Sequence, residues 1–375
     1  MVWRDYGWRV RSTPQLPDTG RSVEIAWSYW HLAEVSYFAY DLPALFANTI
    51  RAIGYAGRAG PSPALARAYT LLAGSLGLAS WERLARRYFA RAALAAQHAS
   101  DPAALAYAQM VACLYLVGIG DFAAVRDSAD KCQELCRALG NHVTWGNAQV
   151  VRFWMHHYRG EIDESRGAAD KLLARAERIG NLQQQAWALR RLALVELRVG
   201  APQKALLPLE RSTQMLADSK DRSELIPSLG ALALARLRAG AERDAVAAFE
   251  IVIEMSAELG RPMAHGTLEG LSAIAEVALT MRTREPGSQH WQRMSRVPLE
   301  ALDRYRRLFP IGIPAYRLWR GVACLLDGRP AHAASEWKKG HKAAQSLGMR
   351  FEEQRLAFEL AGLRDSSAGW KNANL

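Results

Sequence analysis

Cysteine is scarce in this chain, four in 375 residues. That is too few for a disulfide framework and fits a reducing compartment. Lysine is scarce too, 8 of the 48 basic residues, so arginine carries the net charge of +11. No run of roughly 18 apolar, uncharged residues is read along the chain, which argues against a membrane span. The first twenty residues (MVWRDYGWRVRSTPQLPDTG) carry charge and proline throughout and lack an apolar h-region, so no secretory signal is expected. Catalytic signatures are absent as well. No GxxxxGK[ST] loop offers backbone amides to a triphosphate, and no GxGxxG follows a strand pattern. HExxH, GxSxG and a paired acidic metal-binding strand are all missing. The expectation is a cytoplasmic non-enzyme with no catalytic residues, no cofactor, no metal and no membrane partner.

What is present is a folding composition: 50% hydrophobic and 23% charged residues, with 28 Gly and 15 Pro. Wholesale disorder, collagen and mucin-like stalks are excluded. The length suits two or three compact domains or one elongated repeat array.

Periodicity decides between these. Gly120, Gly160, Gly200 and Gly240 are spaced by 40 residues, and Gly140, Gly180 and Gly260 lie half a period away, with Lys220 in the fourth slot. Five residues after each glycine of the first set stands a small or apolar residue: Val125, Ser165, Ala205, Ala245. Eight residues before each comes a pair: Ala112-Cys113, Arg152-Phe153, Leu192-Ala193, Leu232-Ala233. The register extends backwards to Leu72-Ala73 and Leu32-Ala33. It slips by eight residues around Pro286 and resumes at Gly328, Ala333, Trp337 and Gly348. Eight units result, turning near Tyr40, Ser80, Gly120, Gly160, Gly200, Gly240, residues 280–288 and Gly328.

Each half-unit is rich in Ala, Leu, Arg, Glu and Gln, with apolar residues spaced by three and four. No window shows sustained period-two alternation, so no sheet is expected. Glycine supplies the positive φ that closes one helix before the next begins. Ala193, Ala205, Ala233 and Ala245 are expected at close helix approaches, with Phe89, Leu209, Phe249 and Trp337 filling the space between neighbours. The fold expected is an all-α, right-handed superhelical solenoid of about eight helical hairpins over residues 21–363. An insertion is placed near 284–293, flanked by an N-terminal arm (1–20) and a C-terminal tail (364–375).

The segment Ala186-Trp187-Ala188-Leu189-Arg190-Arg191-Leu192-Ala193, followed by Gly200, Ala205 and Leu209, resembles a tetratricopeptide repeat. So does the unit built on Leu232-Ala233, Gly240, Ala245 and Phe249. The period of 40 exceeds the usual 34, and the closing proline is missing. Longer repeats of this kind resemble those following the ATPase module of bacterial signal-transduction ATPases. Residues 58–69 and the Phe309–Pro314 and Leu318–Gly321 stretches look like the C-terminal region of multidomain bacterial cyclase–ATPase proteins. The resemblance implies a regulatory or interaction region that binds a protein or peptide, such as an ATPase, cyclase or kinase module. It also implies that the first helix of each hairpin lines a concave face. Carried over by position, the partner-binding candidates are Tyr107, Met110, Trp154, His157, Trp187, Arg190, Leu194, Arg198 and Arg238. Arginine beside Leu or an aromatic there suits an acidic or carboxylate-bearing ligand.

Three further clusters invite a reading. Residues 282–320 hold nine Arg against three acids. Arg293, Arg296, Arg304, Arg306, Arg307, Arg317 and Arg320 form the basic patch on which the alternative reading, nucleic-acid binding, rests. A regulatory fragment of a cyclase or ATPase, its catalytic domain supplied in trans, is the second alternative. Cys132 and Cys136, with His142, His156 and His157, could be drawn as a soft-metal site. Buried thiols acting as small hydrophobes are the plainer expectation. Trp3, Tyr6, Trp8, Trp27, Tyr29, Trp30, Tyr37, Phe38 and Tyr40 crowd the N-terminal end, either capping the array or pairing two copies as a homodimer.

Overall fold

The structure, a computed structural model, describes residues 19–39, 41–219, 221–259 and 264–363. Residues 1–18 of the expected arm, the tail at 364–375, and Trp3, Tyr6, Trp8, Tyr40, Lys220 and Gly260 lie outside the described residues. Among those described, every regular element is a helix. The hairpins run α1 (Thr19–Phe38) with α2 (Leu42–Ala59), α3 (Pro63–Leu78) with α4 (Glu82–His98), and α5 (Pro102–Ile119) with α6 (Phe122–Ala138). They continue with α7 (His142–Arg159) and α8 (Ile162–Arg178), α9 (Leu182–Arg198) and α10 (Pro202–Ala217), then α11 (Arg222–Arg238) and α12 (Glu242–Leu259). In the seventh hairpin α13 (Leu268–Arg284) is followed by a broken second arm, α14 (Gln289–Met294) and α15 (Arg296–Arg306). The eighth is α16 (Gly312–Leu326) with α17 (Pro330–Leu347), and α18 (Arg350–Gly362) stands alone at the end. The eight hairpins are those read from the glycine period. The phase slip is the break between α13 and α15.

The period is enforced at the joints. Gly120, Gly140, Gly160, Gly180, Gly200, Gly240, Gly328 and Gly348 all have φ between 63° and 88°, in the left-handed region. Each closes its helix with the same two bonds. At Gly140, its amide donates to the Arg137 carbonyl (3.3 Å) and the Asn141 amide reaches back to Cys136 (2.9 Å), the pairing that satisfies orphan carbonyls at a helix end. At two of these joints the next residue also caps the following helix: Asn141 accepts from the amide of Thr144 (3.1 Å) and Asn181 from that of Gln184 (3.0 Å). Asp221 caps α11 in the same way, accepting from the Glu224 amide. Ser80 (φ 62°) and Ser100 (φ 49°) occupy the same slots without glycine.

Two compact units are distinguished: Met1–Tyr115 with Ala124–Ala148, and Leu116–Ala123 with Gln149–Leu375. In the first, Leu72, Leu76, Tyr88, Tyr107 and Met110 share a core with Trp30, which is 6% exposed. Trp30 thus packs inward from the aromatic N-terminal end, its ring edge-on to Tyr107 at 5.5 Å. In the second, Phe249, Val252, Ile274, Val277 and Trp291 form a core. Ala193, Ala205, Ala233 and Ala245 are fully buried. Trp337 is buried as well, its indole Nε1 donating to the Leu318 carbonyl at 2.9 Å beside Gly321.

One reading of the sequence is corrected here. The chain does contain an uncharged apolar run of spanning length: α5 is 18 residues without a charged side chain. Its apolarity has a packing cause. Ala104, Ala106, Tyr107, Ala108, Met110, Cys113, Leu116 and Val117, spread around the helix, are all buried in protein. A helix apolar on every side belongs to an interior, and half of this one is buried.

Between α11 and α13 backbone meets backbone. A Cβ on Gly270 would stand 2.4 Å from the Cα of Pro227, and one on Gly230 would stand 2.8 Å from the Gly270 carbonyl oxygen. Backbone cannot move aside as a flexible side chain can. Gly270→Ala is expected to cost about 2–3 kcal/mol or more, read as a lowered denaturant midpoint by circular dichroism. An unchanged midpoint would disprove the close approach.

Candidate functional site

In the second unit the buried charged and ionisable side chains lie mainly on α7, α9, α11 and α13, with others on α18. On α9, Arg190 and Arg191 are both fully buried and share one carboxylate. Glu224 lies 2.7 Å from Arg190 Nη2 and 3.0 Å from Arg191 Nη2. Arg190 Nη1 also donates to the Gly266 carbonyl (3.2 Å), and Arg191 Nη1 to that of Trp187 (2.8 Å). Both guanidiniums lie over the Trp154 ring, 5.2 and 5.1 Å from its centroid. Burial alone would push the Glu224 carboxyl up, but the two arginines hold it below its ordinary value. Asp221, buried at the start of α11, accepts from the Trp187 indole at 2.8 Å and adds a second negative charge beside Arg191.

One helical face further along, Arg198 joins three elements. Its Nη1 donates to the His157 carbonyl, and its Nη2 to Glu269 (3.1 Å) on α13 and Glu352 (2.6 Å) on α18. Its guanidinium covers the Phe351 ring at 4.3 Å. His157 is fully buried, with Nε2 3.1 Å from Glu269 Oε1. Burial pulls its pKa down to about 4, so it is neutral at pH 7 and donates through Nε2. For Glu269, burial is outweighed by Arg198 and His157, and its carboxyl falls to about 2. Glu352 goes the other way. Burial raises it, Arg198 opposes, Glu269 adds like-charge repulsion, and the result is about 7. Arg238 forks onto Glu276, with both bonds at 2.9 Å, and donates to the Leu197 carbonyl.

Between these pairs lies a small pocket open to solvent. Five helices line it: α9, α11, α13, α16 and α18. Leu194, Leu197, Leu234, Leu268, Leu318 and Leu356 supply an apolar wall. Arg198, Arg238, Arg355, Glu269, Glu276, Glu352 and Ser272 supply polar groups, and Trp319 and Phe351 aromatic faces. The Trp319 indole donates to Ser272 Oγ at 2.7 Å.

Of the nine partner-binding candidates, Leu194, Arg198 and Arg238 line this pocket. Trp154, His157 and Arg190 are buried beside the ion pairs, and Trp187 is engaged with Asp221. Tyr107 and Met110 belong to the core of the first unit, where the Tyr107 hydroxyl donates to Glu34 at 2.9 Å. Sequence reasoning missed Glu269, Glu276, Trp319, Phe351, Glu352 and Arg355. Glu269 and Glu276 did carry a signal: two acids seven apart on one face of a helix that is otherwise uncharged up to Met281.

Acids partly offset the basic patch. Arg306 and Arg307 both pair with Asp303, and Arg317 pairs with Glu336. Arg306 and Arg317 also lie against Tyr316. Arg293, Arg296 and Arg304 are exposed without an acidic partner among the described residues, and Arg320 is half-buried. Cys132 and Cys136 are buried with sulfurs 4.0 Å apart, Cys132 Sγ donating to the Ala106 carbonyl. Among the described residues no three His, Cys, Asp or Glu side chains converge as metal ligands would.

No family model and no curated protein matches the chain. Solved structures do. A Rap protein complexed with competence and sporulation factor aligns over 93% of this chain and 99% of its own, with a TM-score of 0.54 and 10% identity. NprR in complex with its cognate peptide NprX aligns over 82% and 86%, with a TM-score of 0.52 and 12% identity. A signal transduction ATPase with numerous domains and a tetratricopeptide repeat sensor, from Pyrococcus horikoshii, aligns over 91% and 54%, with a TM-score of 0.44 and 14% identity. The chain has the tetratricopeptide-like fold. Within that repeat fold the arginines of α9 are tied to acids of α11, α13 and α18.

Two predictions follow from this charge arrangement. Glu224→Gln strands two buried guanidiniums and is expected to cost about 3–5 kcal/mol in denaturant unfolding; a cost near zero would mean that water reaches them. Glu352 has a folded pKa raised from 4.5 to about 7, so the folded state holds the proton longer, and this group's contribution to stability declines as pH rises from 4.5 to 7. Glu352→Gln removes that decline. Relative to the parent, the variant should gain about 2–3 kcal/mol between pH 4.5 and 7.5, measured by urea melts at a series of pH values. A flat difference would refute the assignment.

Proposed function

We propose that the chain is a non-catalytic helical-repeat regulator that holds a short peptide, or a peptide-like segment of a protein partner, in the second unit's pocket. The pocket carries the reading. It has an apolar wall for side chains, polar groups for orientation, and contributions from five helices that no local motion can assemble. Support comes also from the fold shared with the Rap protein and NprR, each of whose structures contains its factor or peptide. The chain's setting is a cytoplasmic bacterial signalling or transcriptional system, and its wider partner is an ATPase, cyclase or kinase module. Binding stiffens the inner face, and the ordering passes to the neighbouring module.

The test is selection of peptides from a random hexapeptide library on the purified chain, followed by calorimetry of the enriched sequences. Micromolar binding is expected. Ser272→Phe, placed on the half-buried wall of the pocket, should weaken it at least tenfold with the helical signal retained, whereas Ser272→Ala, which loses the same acceptor for the Trp319 indole without adding bulk, should leave binding within about twofold. Enrichment of nothing above background, or binding untouched by Ser272→Phe, would overturn the reading. Affinity for duplex DNA falling steeply with salt, and abolished by Arg293→Glu with Arg296→Glu, would favour nucleic acid instead.

A further inference from the structure

Every arginine that lines the pocket already has an acid of its own. Arg238 is forked onto Glu276, Arg355 Nε lies 3.1 Å from Glu359, and Arg198 Nη2 serves Glu269 and Glu352 together. Arg198 is therefore outnumbered by two carboxylates to one guanidinium. His157, the other group on Glu269, is neutral and does not redress the balance. Glu352 meets Arg198 through Oε1, while its Oε2 is buried and accepts no hydrogen bond. A buried carboxylate oxygen without a donor is a costly omission unless something supplies one. The sequence alone suggested an acidic ligand drawn to these arginines. The geometry reverses the sign, because the positive charges are spent within the protein and one carboxyl is left over, Glu352, which is ionised above its pKa of about 7.

We infer that the pocket recognises a positively charged group on its peptide, a primary ammonium of a lysine side chain, which donates to Glu352 Oε2. The inference rests on the pocket being a peptide site. An ammonium fits better than a guanidinium fork. A fork needs both carboxylate oxygens, and Arg198 has already taken one, whereas a compact ammonium is satisfied by a single strong acceptor. Trp319 and Phe351 stand in the same wall, but Arg198 already covers Phe351 and Arg355 lies 6.0 Å from the Trp319 centroid, so Glu352 Oε2 is the group on which recognition turns. The lysine methylenes would lie against Leu318 and Leu356, burying the stem while the head meets the carboxylate.

The experiment uses fluorescein-labelled, N-acetylated hexapeptide pools with one position fixed as Lys, Arg, norleucine or Glu and the others random. Binding to the full chain and to Glu352→Gln is read by fluorescence anisotropy at pH 7.5. Acetylation removes the terminal amine, so the fixed side chain is the only controlled ammonium. For the parent, at least one Lys-fixed pool is expected to bind roughly tenfold or more tightly than its norleucine and Glu counterparts, with Arg in between. Glu352→Gln should bring Lys and norleucine pools level without loss of helical signal. Pools that bind with no preference for Lys, or that favour Glu, would overturn this inference and leave the peptide reading standing. A preference for Lys that survives Glu352→Gln would also overturn it. Failure of every pool would sink both together.

Discussion

An arginine that enters a protein interior must bring a carboxylate with it, and the second unit is arranged around that constraint. Arg190, Arg191 and Arg198 lie on one helix within nine residues, and all three are almost wholly removed from water. Their acids come from α11, α13 and α18. Charge neutrality therefore links helices that the repeat alone would leave as second or more distant neighbours. Such pairs are weak sources of net stability because desolvation offsets their attraction. Their effect is on arrangement. No other placement of α13 and α18 would give Arg198 its partners, and the pocket is the space left between these fixed points.

Much of the fold was legible in the sequence because it is encoded locally. A left-handed residue followed by a capping residue needs only about six consecutive positions, so Gly140-Asn141 or Gly180-Asn181 announces a joint unaided. The 20-residue half-period then fixes helix length, and alanine at the recurring positions fixes which faces approach. Ser80 and Ser100 show the limit of the signal: the turn is required, but glycine is not. The charge-free run of α5 shows another. Composition marks a helix that must be hidden from water, and it does not say whether lipid or protein hides it.

The pocket was legible only in part. Arg198 and Arg238 sit two residues before their joint glycines, so the period placed them on the inner face. Glu269 and Glu276 stand before the slip and were open to reading, whereas Glu352 lies beyond it, 154 residues from the arginine it meets. Periodicity relates equivalent positions in neighbouring repeats. It carries no information about which non-neighbouring repeats touch. The charge pairing around the pocket was lost for the same reason: counted along the chain arginine predominates, whereas around the pocket each arginine is already matched.

The three-way bridge at Arg198 also sets a limit on how this array can change in length. Most solenoids lose or gain a whole repeat at modest cost, since each unit answers only to its neighbours. Here α7, α9, α13 and α18 meet at one guanidinium. Deleting a hairpin between any two of them would carry a carboxylate away from its partner and leave a buried charge behind. The second unit is thus modular in sequence and indivisible in space, and natural variation in repeat number should be confined to the hairpins outside that junction.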